Sequence, residues 1–568
     1  MKSATWVQQV EGQLYTSFPL IYILAIFPSS SPAGVFTTPK TYLLGVFLLL
    51  ALLLRTIGAR HLDFKKIYAS LLNQPNYIFW LLSHMAVLVI SSLFSDFANQ
   101  AWFGDPNPQT GAVFFLALGF AFWFYATGPR LSSWSLVTLL VVLNILAITE
   151  YLGFRPLEFI VNRNFELTSP FPATTVGIRT HLSAIMLMLI FIPIYWYRSN
   201  YFRKGFWALL IIAGIGFGCT VTSSAIAGLI ASLMILIVFM RRQLITAILI
   251  IITIICAINM HRPLMLISIE LQHMGWVSQI AQTKDLSNTT TLQTRLILWK
   301  AATLLFKQRP FLGWGISTYN QHWFQVLPRG EGDRLFRLEL GLRPTQKVLR
   351  INDSAAYKDL NGNTIPVQLN YFAPHNALLD LAYSQGILGV VTFTGFIISL
   401  IFYLYERAGR VSILALLPIF AYGIYLLAWF VTVPAMGLAA FLLGGQVAHL
   451  CHTRERANMR HRKPLNFKFH QKTSGFTLIE LLVVVSIISM LAMVLIPGIL
   501  AARQRSYNIS AQSCSKSIQT VQAISQIDNK IYLLLGNDVG QLNRNSDGVN
   551  PICRDSNVFF RNAPTVVP

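Results

Sequence analysis

Stretches of about twenty apolar residues recur along this chain, and they limit its fold more than any other feature. A bilayer core of roughly 30 Å takes a helix of about 20 apolar residues to cross. Only helices and closed barrels satisfy every backbone group there. Such runs stand near 14–29, 40–56, 77–95, 111–128, 131–152, 178–197, 205–220, 222–240, 243–260, 376–405, 411–431 and 434–451, with a last one at 476–500. The first and the seventh are the weakest. A hydrophobic share of 54% against 12% charged residues excludes a soluble globular chain. The amino terminus shows no short apolar core followed by a small-residue cleavage site, so no removable signal peptide is expected. The fold expected is an all-α polytopic membrane protein of about twelve transmembrane helices, followed by one more apolar helix and a small α+β head.

The formal charge of +22 suggests nucleic acid until its distribution is read. The positive residues fall in alternate loops: Arg55, Arg60, Lys65 and Lys66, then Arg130, then Arg198, Arg203 and Lys204, then Arg241 and Arg242, then Arg407 and Arg410. A last cluster runs from Arg454 through Arg456, Arg460, Arg462, Lys463 and Lys468 to Lys472. The positive-inside rule puts all of these in the cytoplasm. The partner is therefore the membrane, with no nucleic acid expected, and the run at 476–500 exits outward. Few charges lie inside the runs, which argues against a transporter. Cys219, Cys256 and Cys451 lie in or beside runs and read as small apolar residues. Cys514 and Cys553 lie in the outward tail, where disulfides persist, and a bridge between them is expected to close the small head. No CxxC or His-rich spacing points to a metal.

Most loops are short. The exceptions are a medium loop at 153–180, with Arg155, Arg163 and Arg179, and a long one at 261–374, a length that usually means function or disorder. At its start, Leu296, Leu298, Ala301, Leu304 and Leu305 recur at helical spacing, which predicts an amphipathic helix over Thr294–Lys307 lying on the membrane surface. Gly330–Thr364 is polar and reads as solvent-exposed. After Pro497 a mixed pattern suits a helix up to about Leu535, and Asn557–Arg561 is the one clear strand in the tail.

Near the carboxyl end stands Gly475-Phe476-Thr477-Leu478-Ile479-Glu480, opening an unbroken apolar stretch with one carboxylate in its first turn. An ionisable group there is costly unless paired, so it marks function. This run, with the basic segment before it, resembles the processing site of type IV pilins and pseudopilins. The resemblance implies a prepilin peptidase cutting between Gly475 and Phe476, N-methylation of Phe476, and Glu480 pairing with a neighbouring subunit's new amino terminus. Met459–Gly475 reads as a complete basic leader, and Pro497 sits where many pilins bend.

Two further segments bracket the long loop. One is Arg295-Leu296-Ile297-Leu298-Trp299 followed by Arg309-Pro310-Phe311-Leu312-Gly313-Trp314-Gly315; the other is Pro374-His375-Asn376 followed by Gln385-Gly386-Ile387-Leu388-Gly389. Together, in this order, they resemble the O-antigen ligase and polymerase family, which includes pilin-glycosylating O-oligosaccharyltransferases. The resemblance implies a bacterial inner-membrane enzyme with periplasmic catalytic loops. Its donor would be an undecaprenyl-diphosphate-linked glycan and its acceptor a pilin-like protein, with no cofactor. His375 would be the base, and Arg295, with its planar fork, would hold the diphosphate. Arg179 is a second candidate for that charge, and Trp299, Asn376, Gly313, Gly315, Gly386 and Gly389 complete the motifs. His375 follows Pro374 and opens an apolar run, so it is expected at a helix amino terminus, facing outward.

These readings divide the chain into a glycosyltransferase part at 1–451, a basic cytoplasmic linker and leader at 452–475, and a pilin-like helix and head at 476–568. Thr220-Val221-Thr222-Ser223-Ser224-Ala225 lacks an arginine common in the family, and Gln385 stands where an acidic or small polar residue is common. His84 and Glu150 read equally as packing or helix-end residues. An O-antigen polymerase, a lipopolysaccharide ligase, and a non-catalytic fusion in which the pilin segment is the working part stay open at this point.

Overall fold

The computed structural model describes residues 2–28, 32–58, 76–106, 109–129, 131–157, 172–194, 205–239, 244–276, 289–342, 348–351, 354–358, 364–367, 369–408 and 410–461, with five helical positions between 518 and 526. The chain divides into two compact units, 1–467 and 468–568. Nearly all described residues belong to the first.

That unit is helical because an apolar run in apolar surroundings must pair its own backbone groups. In order come α1 (Lys2–Leu24), α2 (Pro32–Phe36), α3 (Thr38–Gly58), α4 (Asn76–Leu93), α5 (Ala98–Phe103), α6 (Ala112–Thr127) and α7 (Ser133–Tyr151). A 3-10 turn at Thr174–Val176 leads to α8 (Arg179–Leu189), α9 (Phe206–Thr220), α10 (Ser223–Phe239), α11 (Leu244–Asn259) and α12 (His261–His273). The segment that follows holds α13 (Thr289–Gln308), α14 (Tyr319–Val326), α15 (Arg329–Leu340) and strands β1 (Val348–Ile351), β2 (Ser354–Lys358) and β3 (Thr364–Val367). Last come α16 (Ala377–Ala408), α17 (Arg410–Leu426) and α18 (Val433–His461).

A helix thus stands at each of the twelve expected runs. Among the described residues, length and composition qualify six stretches to cross a membrane: Gly34–Ile57, Asn76–Leu93, Trp134–Tyr151, Leu244–His273, Ala377–Arg407 and Val433–Leu450. Five shorter apolar helices accompany them, at Ala112–Thr127, Arg179–Ile194, Phe206–Thr220, Ser223–Phe239 and Leu414–Leu426. The helices are apolar on the outside as well as the inside. Tyr22, Phe47, Tyr125, Leu140 and Phe441 pack in the main core, whereas Leu49, Leu52, Leu53, Ile245, Ile248 and Ile252 are exposed. Water does not sustain so large an apolar exterior, and a bilayer does. The chain is a multi-pass membrane protein.

Several buried polar groups inside this unit are held by specific partners. Lys40 is fully buried, and its ammonium donates to the carbonyls of Ala25, Phe36 and Thr175 at 2.8, 2.9 and 2.9 Å. Glu150 accepts from the N–H groups of Ala173 and Thr174 at 2.8 and 2.9 Å. It therefore holds the turn that launches α8, the helix-end role of its two readings. His84 packs between α4 and α16, with Nδ1 3.2 Å from the Thr392 hydroxyl and its ring against Phe393.

Three expectations need correction. The first helix begins at Lys2, well ahead of residue 14, because Glu11 pairs with Arg55 of α3 at 3.1 Å and Tyr15 is buried beside it. The long loop does not open at 261, since α12 continues the apolar run of α11. The helix predicted over Thr294–Lys307 exists as α13, but protein covers most of its apolar face, leaving Leu296 exposed. Ile297, Leu298, Ala301, Ala302 and Leu305 pack with Tyr319, Trp323, Leu335, Phe336 and Tyr383. Leu335 and Phe336 also give α15 a buried side within the stretch read as solvent-exposed. Beyond it β1, β2 and β3 form an antiparallel meander, with Leu349 opposite Ala356 and Tyr357 opposite Ile365.

Candidate active site

The two motifs meet through their backbones. Residues 310–315 run beside 383–388. Trp314 N–H donates to Tyr383 O at 3.1 Å and Gly315 N–H to Ser384 O at 2.9 Å; Ile387 N–H donates to Pro310 O at 2.8 Å and Leu388 N–H to Phe311 O at 3.4 Å. Carbonyls at 383 and 384 are free to accept because α16 breaks at Gly386, where φ is 65° and ψ −163°. That region of backbone space is essentially open to glycine alone. A side chain on Gly386 would overlap the Phe311 carbonyl, and one on Gly313 (φ +69°) would overlap the Ser384 backbone. Gly315 (φ +95°) faces Ser95, whose hydroxyl donates to Trp314 O at 2.7 Å. Gly389 lies one turn past the break, against the side chain of the buried Gln385. The motif glycines are seams between two segments distant in sequence.

This seam places His375. Asn376 is the cap of α16: its Oδ1 accepts from the N–H groups of Leu378 and Leu379, both at 3.0 Å, and its Nδ2 donates to Leu427 O at 2.8 Å. His375 therefore stands immediately ahead of the cap at the amino terminus of α16, and Pro374 precedes it. Asparagine outcompetes proline for this end because its side chain satisfies helix donors that would otherwise be orphaned. His375 adopts the left-handed backbone conformation, φ +57°, which is uncommon for a residue with a side chain. Its ring lies edge-on to Tyr371, Trp429 and Phe430, with centroids 6.0, 4.9 and 5.1 Å away. Its Nδ1 is buried without a hydrogen-bond partner. Burial pushes the imidazole pKa down to about 4, the Arg295 charge pushes the same way, and the Ala373 backbone opposes them without a hydrogen bond of standard geometry. The ring is neutral at pH 7.

Arg295 projects from α13 with its Cζ 5.6 Å from the Trp429 ring. Among the described residues its guanidinium has no hydrogen bond or ion pair, and its Nε is buried and unpartnered. Burial pushes its pKa down, and Tyr425 opposes that shift. Trp299 follows one turn along α13, and its indole Nε1 is also buried and unpartnered. Arg179 is placed differently. It opens α8 and its guanidinium donates to the carbonyls of Thr220, at 3.4 Å, and Val221. A cation does occupy the Thr220–Ala225 stretch that lacks its own arginine, but it serves the end of α9. Next to it, Thr180 O accepts from the Tyr425 hydroxyl at 2.9 Å, and His181 meets the Phe430 ring at 5.9 Å with a buried, unpartnered Nε2.

The structure thus brings together His375, Arg295, Trp299 and Asn376, with Arg179 at the margin. Sequence reading missed Tyr371, His181, Tyr425, Trp429 and Phe430. The one available signal was the Trp429-Phe430 pair at the end of a run, and only the fold shows that this end meets His375. Among the described residues no group of three His, Cys, Asp or Glu side chains could hold a metal ion. Gly475, Phe476, Glu480, Cys514 and Cys553 lie outside the described residues.

Comparison with known proteins gives two family matches. Residues 207–336 match the O-antigen ligase family, and residues 470–496 match the prokaryotic N-terminal methylation motif. The first match takes in Arg295, Trp299, Gly313 and Gly315 and ends before His375; the second takes in Gly475, Phe476 and Glu480. The type IV wide pilus major component PilA4 of Thermus thermophilus is 45% identical over 62 residues, which are 11% of this chain and 47% of that protein. The chain thus spans about half the length of that curated relative. The ligase-family match lies wholly within the membrane unit. The chain thus joins a region similar to O-antigen ligases to a segment similar to type IV pilins.

Proposed function

We propose that the membrane unit transfers a glycan from an undecaprenyl-diphosphate carrier to a hydroxyl of a pilin-like protein, at the periplasmic face of the bacterial inner membrane. One observation carries this reading: an uncommitted guanidinium and a neutral imidazole with a free nitrogen share one aromatic cluster. The acceptor hydroxyl attacks the anomeric carbon and gives its proton to His375. The bond from that carbon to the diphosphate oxygen breaks, and the electron pair leaves on the diphosphate. Arg295 meets the charge that develops there. A bound diphosphate also offsets the Arg295 charge and lifts the His375 pKa towards neutrality, which makes the base stronger when the donor is in place. The pilin-like segment of the same chain favours a protein acceptor over lipid A or a growing polysaccharide.

The test is transfer from a lipid-linked glycan to a purified pilin acceptor, read as added mass on the protein. Arg295→Lys is expected to lose at least about tenfold, because a point charge replaces a bidentate fork. Equal activity with lysine makes Arg295 a headgroup anchor, and transfer to lipid A or polysaccharide alone overturns the protein acceptor.

The methylation motif supports cleavage after Gly475, with residues 476–568 released and Phe476 N-methylated. Gly475→Val is expected to leave the full-length chain of 63.8 kDa on an immunoblot against the tail, in a host with an active prepilin peptidase. A wild-type chain that also stays full length there makes the segment a permanent tether. Non-reducing mass mapping of the tail checks the expected Cys514–Cys553 bridge.

A further inference from the structure

Buried donors are nearly always matched by an acceptor in a folded protein, so several unmatched ones in one place indicate an absent ligand. Around Arg295 three such donors occur: its own Nε, the Nε1 of Trp299 and the Nε1 of Trp429. An indole N–H can only donate, whatever the pH. The ligand must therefore bring oxygen acceptors, and the adjacent guanidinium selects an anionic one.

Their placement says more. Trp429 lies in the short link between α17 and α18, its ring 5.6 Å from the Arg295 guanidinium carbon, 4.9 Å from the His375 ring and stacked on Phe430 at 5.1 Å. Trp299 shares a helix with Arg295 and stands four residues on, roughly 6 Å along the axis, on the same face. The three donors thus come from two elements and are spread along a helix turn, which suits two linked phosphates better than one.

We propose that Trp299 and Trp429 are diphosphate-positioning residues, whose indole N–H groups bind non-bridging oxygens of the polyprenyl diphosphate held by Arg295. This deepens the proposed function and rests on it. The ring of Trp429 also forms one wall of the His375 cluster, so the same residue ties the leaving group to the base. A monophosphate carrier would engage only part of the set.

The experiment measures binding of radiolabelled farnesyl diphosphate and farnesyl monophosphate to the full-length chain in detergent. Trp299→Phe and Trp429→Phe keep an aromatic ring and delete the donor. Each is expected to raise the Kd for the diphosphate at least about tenfold, the loss of one hydrogen bond to a charged group, and to change monophosphate binding by less than about threefold. In steady-state transfer the same variants raise KM for the lipid-linked donor more than they lower kcat. Should either variant unfold, benzothienylalanine at that position replaces N–H by sulfur at nearly constant shape. Unchanged diphosphate binding in the variants overturns the proposal, and so does an equal loss for both ligands. Wild-type chain that binds neither ligand overturns it together with the proposed function. Diphosphate binding that depends on the indoles, without glycan transfer to any acceptor, overturns the proposed function alone.

Discussion

Replacing His375 by asparagine is expected to abolish glycan transfer, with a loss of about 10²–10⁴-fold from removal of the base, while the chain inserts and folds as before. Asparagine is the informative substitution because it tolerates the left-handed backbone at φ +57° better than most residues. His375→Ala is expected to lose transfer equally and to be less stable. The pH profile is a second readout. With the free imidazole near pH 4, kcat/KM stays level from pH 8 to about pH 5, then falls as protonation removes the base. At saturating donor the fall in kcat moves to higher pH, since the bound diphosphate offsets the Arg295 charge. Burial has a matching consequence for stability. A folded pKa below the unfolded value of about 6.5 means that the unfolded chain binds the proton first. This contribution to stability is full above about pH 6.5 and is lost as pH falls towards 4. Transfer that survives in the asparagine variant, or a kcat/KM profile breaking at 6.5, removes His375 from the role of buried base.

Replacing Gly386 by alanine is expected to do comparable damage by a different route. Any side chain there must adopt φ 65°, ψ −163° and overlap the Phe311 carbonyl. The backbone cost alone is about 1–3 kcal/mol. Relief requires the 310–315 and 383–388 segments to part, which breaks the bonds from Ile387 to Pro310 and from Leu388 to Phe311. The expected result is a lower Tm for the detergent-solubilised chain and loss of transfer, although Gly386 touches no substrate. Gly423 is a fair control: it lies in α17 with nothing near the position a Cβ would take, and alanine there is expected to be neutral or stabilising. A Gly386→Ala chain that melts with the wild type would show the seam to be unimportant.

Much of the candidate site was legible in the residues themselves. Arg295, His375, Gly313 and Gly386 were marked by the family resemblance that their two short motifs carry. The aromatic partners were not. Trp429 and Phe430 look like any aromatic pair at the end of an apolar run, where such residues are common, and nothing local ties them to a histidine far upstream. The surroundings of Arg179 were hidden for the same reason. An arginine at a helix start reads as a free cation until the fold brings the carbonyls of Thr220 and Val221 against it.

The amino-acid sequence alone determined where helices form, because an apolar run has no other way to satisfy its backbone. It also determined the pilin-like segment, whose signal is local and contiguous. Tertiary structure decided the rest. It assigned the cap of α16 to Asn376 and left His375 outside the helix, because that cap is anchored through Leu427. It turned the apolar face of α13 onto protein, because Tyr319, Trp323 and Phe336 arrive to cover it. It also lowered the His375 pKa, since burial and a neighbouring charge act through space, and the residues supplying both come from distant parts of the chain.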